Sequence, residues 1–91
     1  MRDYKARGGQ KCIVTGERAV DLHHIISRGA GGPDEPWNLA PLSRKAHVEW
    51  HQKGRTSMAA KYDTVHQWLV DQKWYFCKVG YRWRHPNFHR G

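Results

Sequence analysis

Four histidines occupy one short stretch of the chain, and their spacing restricts the folds that can accommodate them. His23 and His24 are adjacent, whereas His47 and His51 are four residues apart. Side chains at i and i+4 lie on the same face of an α-helix, so the second pair directs two imidazoles toward one point. Helices commonly present two metal-ligating nitrogens in this way. A fold that adds one histidine of the first pair would create a three-nitrogen metal site.

The residues around the second pair carry helix signals. Ser43 is a suitable N-cap and Gly54 a suitable terminator, so a helix is predicted from residue 44 to about residue 53. Trp50, between the two helical histidines, is expected to pack in the core. Two more helical segments are predicted to begin near residue 56 and near Thr64. The last one has an apolar stripe that we interpret as core: Val65, Trp68 and Leu69.

Short apolar segments before this helix predict strands at residues 11–14, 20–26 and 37–42. Residues 27–36 are rich in glycine and proline and are predicted to form a loop. For the tail from residue 81 to residue 90, two interpretations stay open. Its aromatic and basic side chains either clamp nucleic acid or fold back over a small core. Three histidines without matching partners are expected at the surface: His66, His85 and His89.

The composition predicts one small domain with a thin core. The chain has 91 residues, of which 38% are hydrophobic, and its mean hydropathy is −0.91. Chains of this length seldom divide into two cores, so residues 1–91 are expected to form a single domain. Packing alone stabilises so small a domain poorly, which favours a bound metal, a clamped loop or a partner subunit. Cys12 and Cys77 are too few for a disulfide framework and are expected as reduced thiols.

The charge balance favours a polyanionic partner. Sixteen Lys and Arg residues against eight Asp and Glu residues give a net charge of +8. Nucleic acid fits this balance, although a basic solvated surface gives the same count. No apolar stretch approaches the roughly 20 residues that span a bilayer, and the N-terminus lacks the apolar segment of a signal peptide. We therefore expect a cytoplasmic protein without membrane contact.

The spacing of the histidines excludes one metal chemistry and permits others. The stretch from His47 to His51 has its Glu in the third position, so the metalloprotease pattern His-Glu-x-x-His does not apply. Successive strand residues point to opposite faces, so His23 and His24 are expected to have different roles. One can be a third ligand in an open catalytic site, and the other can act as a general base. The alternatives are solvated histidines or a closed structural zinc site.

Several of these residues, taken in order, resemble a known nuclease motif. They are Asp21-Leu22-His23-His24, Gly31-Gly32, Asn38-Leu39, His47 and His51. The pattern resembles that of the His-Asn-His (HNH) endonuclease family, and within it the three-histidine form of the nuclease colicins. The resemblance covers residues 11–55. It implies an α+β fold with a small ββα-metal core around one divalent metal, followed by additional C-terminal helices over residues 56–91.

The resemblance also implies residue roles. His24 would be the general base, and Asn38 would fix the loop. Asp21 would accept a hydrogen bond from a ligand imidazole. The implied metal ligands are the three remaining histidines: His23, His47 and His51. Three basic residues that flank the site in the sequence are candidates for binding phosphates: Arg28, Lys53 and Arg55.

The implied activity is hydrolysis of DNA phosphodiester bonds, by nicking or double-strand cleavage, which leaves a 5′-phosphate and a 3′-hydroxyl. Mn²⁺ or Mg²⁺ is expected to support turnover, whereas Zn²⁺ or Ni²⁺ has the higher affinity for imidazoles. Double-stranded DNA is the expected partner of a monomer or weak dimer, as in small stand-alone nucleases of phages and bacteria. Two alternatives stay open. One is a non-catalytic, metal-stabilised nucleic-acid-binding module, and the other is a nuclease for RNA or for branched or single-stranded DNA.

The chain departs from many small HNH proteins in lacking two Cys-x-x-Cys pairs, which form a zinc ribbon beside the metal finger. Cys12 is followed three residues later by Thr15, so this ribbon cannot form. The aromatic-rich segment of residues 65–83 is the expected substitute for the missing stabilisation.

Overall fold

The computed structural model describes residues 4–5 and 10–88 and has an α+β fold, as predicted. Its elements in chain order are β1 (Tyr4–Lys5), β2 (Asp21–His24), β3 (Leu39–Leu42), α1 (Arg44–Lys61), α2 (Asp63–Asp71), β4 (Tyr75–Cys77) and β5 (Arg82–Arg84). Two short 3-10 turns, Arg28–Ala30 and Pro36–Asn38, lie in the connection between β2 and β3. The order β2, loop, β3, α1 is compatible with a ββα core.

The first sheet has the order β1-β2-β3 and is antiparallel. His23 lies opposite Ala40 and His24 opposite Leu39 in the pairing of β2 with β3. Both strands are shorter than the segments predicted at residues 20–26 and 37–42. The backbone beyond His24 turns into the loop, where the N–H of Ile26 donates to the side-chain oxygen of Asn38 (2.7 Å) rather than to a strand.

The segment of residues 11–14, predicted as a strand, forms a tight turn. The N–H of Cys12 donates to the carbonyl of Glu17 (2.7 Å), and the N–H of Gly16 donates to the carbonyl of Cys12 (2.9 Å). Gly16 has φ 77°, a left-handed conformation that costs glycine little. These local hydrogen bonds outweigh the β propensity of the apolar side chains. Within this segment, only an isolated bridge between Lys11 and Arg18 has strand geometry.

Helix α1 begins where the sequence predicts, and it bends at Gly54, where an end was predicted. The hydroxyl of Ser43 accepts a hydrogen bond from the N–H of Ala46 (3.3 Å), which caps the helix. Gly54 has φ 82° and ψ 168°, so the helix breaks at this residue and resumes immediately after it. The second half of α1 corresponds to the helical segment predicted near residue 56.

Glu49 connects the two halves of α1 across this break. Its carboxylate accepts hydrogen bonds from Lys61 (2.7 Å) and from the hydroxyl of Tyr62 (2.8 Å), and it lies 3.0 Å from the ammonium of Lys53. These three contacts, led by that of Lys61, lower the pKa of Glu49 to about 2. The contact with Glu49 likewise raises the pKa of Lys61 above its usual value. The bend at Gly54 is therefore held by charged and polar groups at the surface.

The core joins side chains of β3 and of the connection before it to side chains of α1, α2 and the C-terminal hairpin. Val65 and Leu69 of α2 are fully buried, and Trp68 packs against the same cluster, so the predicted apolar stripe is confirmed. Trp50 is also buried, as predicted. The cluster includes four tryptophans: Trp37, Trp50, Trp74 and Trp83. The aromatic segment of residues 65–83 contributes much of this core, as the sequence indicates.

His85 is buried, and its prediction as a surface residue is wrong. Its ring stacks on that of Trp37, with centroids 3.9 Å apart and an interplanar angle of 12°. Nε2 donates to the carbonyl of Gln72 (2.7 Å), and Nδ1 accepts from the N–H of Asn87 (3.1 Å). Sequence spacing could not reveal these partners, because they come from distant positions. His66 is exposed, as predicted, and His89 lies outside the described residues.

The C-terminal segment contains a β-hairpin that the sequence did not predict. Strands β4 and β5 pair antiparallel, with Phe76 opposite Trp83. For part of the described tail, folding back over the core is confirmed, whereas the clamping of nucleic acid stays a prediction. Trp83 folds back into the core, whereas the Tyr81 side chain is exposed. No helix in the described part of the chain is long and apolar enough to cross a membrane.

Candidate metal centre

Three imidazoles from two separate elements converge at one point. His23 extends from β2, while His47 and His51 extend from one face of α1. Nδ1 of His23 lies 3.1 Å from Nε2 of His47, which lies 3.1 Å from Nε2 of His51. One ligand atom from each residue falls within 4.8 Å of the others. The i, i+4 spacing on α1 and the pairing of β2 with β3 produce this convergence.

The geometry of the three nitrogens fits a divalent transition metal. Two nitrogens bound tetrahedrally to one ion, each at about 2.05 Å, lie about 3.3 Å apart, close to the observed separations. His23 is buried, His47 is half-buried and His51 is exposed. The group can therefore hold a metal ion with three protein ligands and a side open to solvent. Open three-ligand sites are typical of catalytic metals.

Asp21 orients one of these imidazoles. Its Oδ2 atom accepts a hydrogen bond from Nδ1 of His47 (3.1 Å) and another from Nε of Arg44 (3.2 Å). A proton fixed on Nδ1 leaves the lone pair of His47 on Nε2, the atom that faces the other two histidines. Asp21 thus contacts an imidazole of the group, as its expected role requires.

His24 is next to a metal-ligand candidate but does not join the group. Its ring is buried, and its Nε2 lies 2.7 Å from Oδ1 of Asp34 in the loop after β2. A carboxylate can only accept, so Nε2 carries the proton and Nδ1 is the basic nitrogen. Sequence reasoning missed Asp34. It lies ten residues beyond His24, and only the folded loop brings the two together.

Asn38 holds both ends of that loop together. Its Oδ1 accepts from the N–H of Ile26 (2.7 Å), and its Nδ2 donates to the carbonyls of Ile26 (3.0 Å) and Pro33 (3.0 Å). The side chain is fully buried. Gly32 passes so close that an added Cβ would collide with the Ile26 carbonyl and lie 2.8 Å from Nδ2 of Asn38. Asn38 is not among the pocket-lining residues, and the hydrogen bonds of its side chain are with the backbone of the loop.

A pocket of about 470 Å³ opens beside the three imidazoles. Its lining residues include His23, His51 and His24, as well as two arginines, Arg28 and Arg55. Among the described residues that line it there is no Asp or Glu, so this lining is cationic and suits an anionic ligand. Of the three candidates for binding phosphates, Arg28 and Arg55 line this pocket. Lys53 does not and instead pairs with Glu49.

Arg55 links the pocket to the C-terminal hairpin. Its guanidinium donates to the carbonyl of Trp83 (3.1 Å) and to that of Ile25 (3.4 Å), and it lies 5.2 Å from the ring centroid of Trp74. Burial and the nearby Arg82 lower the pKa of Arg55. Arginine nonetheless stays charged at neutral pH. Among the described residues, no carboxylate lies within ion-pair distance of Arg55, so its charge remains available to an anion in the pocket.

Comparisons with known proteins give one informative match. No family model and no solved structure matches the chain. An uncharacterized 38.5 kDa protein in psbA intron 1 of Chlamydomonas moewusii is 53% identical over 38 residues. The matched stretch is 42% of this chain and 11% of that relative, so the chain spans about a tenth of the relative's length. The match therefore gives a distant relationship and does not identify a family.

Proposed function

We propose that this protein is a divalent-metal-dependent nuclease of the His-Asn-His type that hydrolyses DNA phosphodiester bonds. One observation carries the proposal. Two imidazoles of the three-histidine group, His23 and His51, line the same cationic pocket as a separate buried histidine, His24. A purely structural metal site has no use for an oriented base beside it. The description of the relative as a protein in an intron is compatible with a nuclease.

The three imidazoles are the proposed ligands of one metal: His23, His47 and His51. A divalent cation bound there would stabilise the negative charge that builds up on the phosphate and on the departing oxygen. Asp21 keeps the lone pair of His47 directed at the ligand group. Mn²⁺ is proposed to support turnover at least as well as Mg²⁺. Three nitrogen donors also favour Zn²⁺ or Ni²⁺ in affinity.

The proton transfer is assigned to His24. Nδ1 of this imidazole takes a proton from a water molecule as its oxygen attacks phosphorus, and the bond to the 3′ oxygen breaks. The products are a 5′-phosphate and a 3′-hydroxyl, whose proton comes from solvent. Asp34 holds the ring by accepting from Nε2 and stabilises the imidazolium that forms. Arg28 and Arg55 hold phosphates of the strand in the pocket.

The experiment is cleavage of supercoiled plasmid by the parent protein and by the His24→Ala variant, each with Mn²⁺, with Mg²⁺ and with EDTA. We expect metal-dependent nicking that falls by about 10²–10⁴-fold in the variant. The matched control is His66→Ala, which removes an exposed imidazole and should leave nicking unchanged. Calorimetric titration with Ni²⁺ should give the same metal affinity for parent and His24→Ala protein.

Two results would overturn the proposal. Nicking that persists in the His24→Ala variant would show that His24 is not the general base. A parent protein that shifts DNA on a native gel but cleaves it with neither metal would be a binding module that uses the metal only for stability.

A further inference from the structure

The hairpin of residues 75–84 exposes aromatic side chains that lie outside the buried core cluster. Tyr81 is 75% exposed at the turn, and Tyr75 is 49% exposed on β4. Phe76 is 39% exposed, and its ring centroid lies 6.1 Å from that of Tyr81. Large aromatic side chains usually bury most of their surface in a small protein. This hairpin therefore presents ring faces to solvent beside the buried Trp83.

The same hairpin is uniformly basic. Register places Tyr75 opposite Arg84 and Cys77 opposite Arg82, so these four side chains share the outward face. The sequence contains no Asp or Glu after residue 71. Among the described residues, no carboxylate lies within ion-pair distance of Lys78, Arg82 or Arg84. Aromatic rings interleaved with unneutralised cations complement a strand of nucleic acid, which offers bases to the rings and phosphates to the cations.

Tyr81 is held in an unfavourable backbone conformation. Its φ is 49°, in the left-handed region that a bulky side chain seldom adopts, and it follows Gly80 at φ 87°. Glycine or asparagine would be more stable at this position. Strained residues concentrate where the side chain has a functional task. The ring of Tyr81 lies outside the core cluster and meets only the half-exposed Phe76 edge-on, so the strain and the exposure are independent indications of such a task.

The hairpin adjoins the cationic pocket. Arg55 lines the pocket and donates to the carbonyl of Trp83 in β5 (3.1 Å). Arg82 is close enough to lower the pKa of Arg55 electrostatically. A strand with one phosphate in the pocket can thus continue directly onto β4 and β5.

We infer that the hairpin of residues 75–84 binds unpaired bases of the nucleic-acid strand whose backbone occupies the pocket, with Tyr81 and Tyr75 as stacking platforms. Bases in a continuous duplex have their faces covered by neighbouring base pairs, so these rings can stack only on unpaired bases. The inference rests on the proposed function for the placement of the strand in the pocket. It narrows the substrate to nucleic acid with a single-stranded segment beside the site of cleavage.

The test measures binding without cleavage. Fluorescence anisotropy in EDTA gives the affinity of the full-length protein for labelled oligo(dT) and for a blunt duplex of equal length, over a range of salt concentrations. The key variant is Tyr81→Asn, because asparagine tolerates the left-handed backbone and should leave the melting temperature unchanged or slightly higher. A second variant, Tyr75→Thr, removes a ring from a strand position that threonine suits.

We expect each tyrosine variant to weaken oligo(dT) binding by about fivefold or more, with little change in duplex binding. The slope of log K against log salt should stay the same, because stacking releases no counterions. Arg84→Gln should instead reduce that slope by about 0.7, the value for one lost phosphate contact on a single strand. Val79→Ser, at an equally exposed position of the same turn, is the control and should change neither affinity nor slope.

Three results would overturn the inference: unchanged oligo(dT) affinity in both tyrosine variants, an equal loss for duplex and oligo(dT), or a parent dimer that Tyr81→Asn converts to a monomer. The last would make the hairpin a contact between two copies of the chain. These results are independent of nuclease activity. A protein that nicks plasmid but loses no oligo(dT) affinity in the variants refutes the hairpin alone, whereas one that never nicks refutes the proposed function alone.

Discussion

The candidate site groups of residues 21–53 and the core side chains of residues 63–88 are held in place by different kinds of contact. In the first region, polar side chains fix the functional groups: Asn38 closes the loop, Asp21 orients His47, and Asp34 contacts His24. In the second region, apolar and aromatic packing dominates, with Leu69 among the fully buried side chains. Hydrogen bonds orient the side chains, whereas apolar packing contributes most of the stability. We therefore expect substitutions of the polar groups in the first region to change catalysis, and substitutions in the second region to change the free energy of unfolding. A polar residue of the first region that is itself fully buried is the exception, because its substitution should change stability too.

Asn38→Asp is the substitution with the largest expected effect. It lies in the first region but should reduce the stability of the protein. A carboxylate at this position would face the carbonyls of Ile26 and Pro33, which now accept from Nδ2. We expect a loss of about 3 kcal/mol or more in the free energy of unfolding at pH 7, measured by urea denaturation. Asn87→Asp, at an exposed position, is the control. A stable Asn38→Asp protein would mean that the loop does not depend on this side chain.

His85→Ala is expected to have the next largest effect, and it tests the comparison in the second region. The change removes a ring stacked on Trp37 and leaves the Gln72 carbonyl without its donor. We expect a loss of about 3 kcal/mol in stability with unchanged Ni²⁺ affinity of the folded protein. His66→Ala removes an exposed imidazole that meets Trp83 only edge-on (ring centroids 5.2 Å apart) and should cost about 1 kcal/mol or less. A large loss of metal affinity in His85→Ala would show that the two regions are coupled.

Asp34→Asn should affect chemistry and leave stability nearly intact. The amide can donate to Nε2 of His24 and so move the ring proton to Nδ1, the atom that is proposed to act as the base. We expect kcat to fall about tenfold or more with little change in KM, and the free energy of unfolding to change by less than about 0.5 kcal/mol. Asp71→Asn, on α2, is the control. Equal effects of the two variants would exclude a positioning role for Asp34.

Glu49→Gln is expected to have the smallest effect, and one that depends on pH. The pKa of Glu49 is lowered to about 2 in the folded protein, first by the hydrogen bond from Lys61. Because the pKa of Glu49 is lower in the folded protein than in the unfolded chain, the ionised carboxylate stabilises the folded protein. This stabilisation is fully present above the ordinary pKa near 4.5 and disappears as the pH falls toward 2.

Melting temperatures of parent and Glu49→Gln protein should therefore differ slightly at pH 7 and converge as the pH approaches 2. The control is Glu35→Gln, which removes an exposed carboxylate outside the helix bend and gives the matched curve of melting temperature against pH. A difference that grows toward acid would mean that the contacts across the bend at Gly54 are not what lowers the pKa.

The sequence predicted those features that depend on neighbouring residues. Ser43 caps α1 and Gly54 breaks it because capping and left-handed backbone are local properties. The i, i+4 spacing likewise places His47 and His51 together without any tertiary information. The α+β fold follows from the resemblance carried by these residues.

The remaining features depend on contacts between distant positions. Asp34 reaches His24 only through the path of the loop, and His85 is buried only because Trp37 lies beneath it. The turn at residues 11–14 has strand-like composition, but Cys12 accepts hydrogen bonds within the turn, including one from the N–H of Val14 (3.4 Å). No single-residue propensity encodes such pairings.

The break at Gly54 also determines which part of the chain could work by itself. A peptide of residues 11–53 would contain all three imidazoles of the metal group, together with His24, Asp34 and Asn38. It would lack Arg55, which forms a wall of the pocket, and the tryptophans of the second region that bury the underside of α1. Such an excised motif would be a chelator. The arrangement that can hold a phosphate against the metal group is completed only by Arg55, on the far side of the bend.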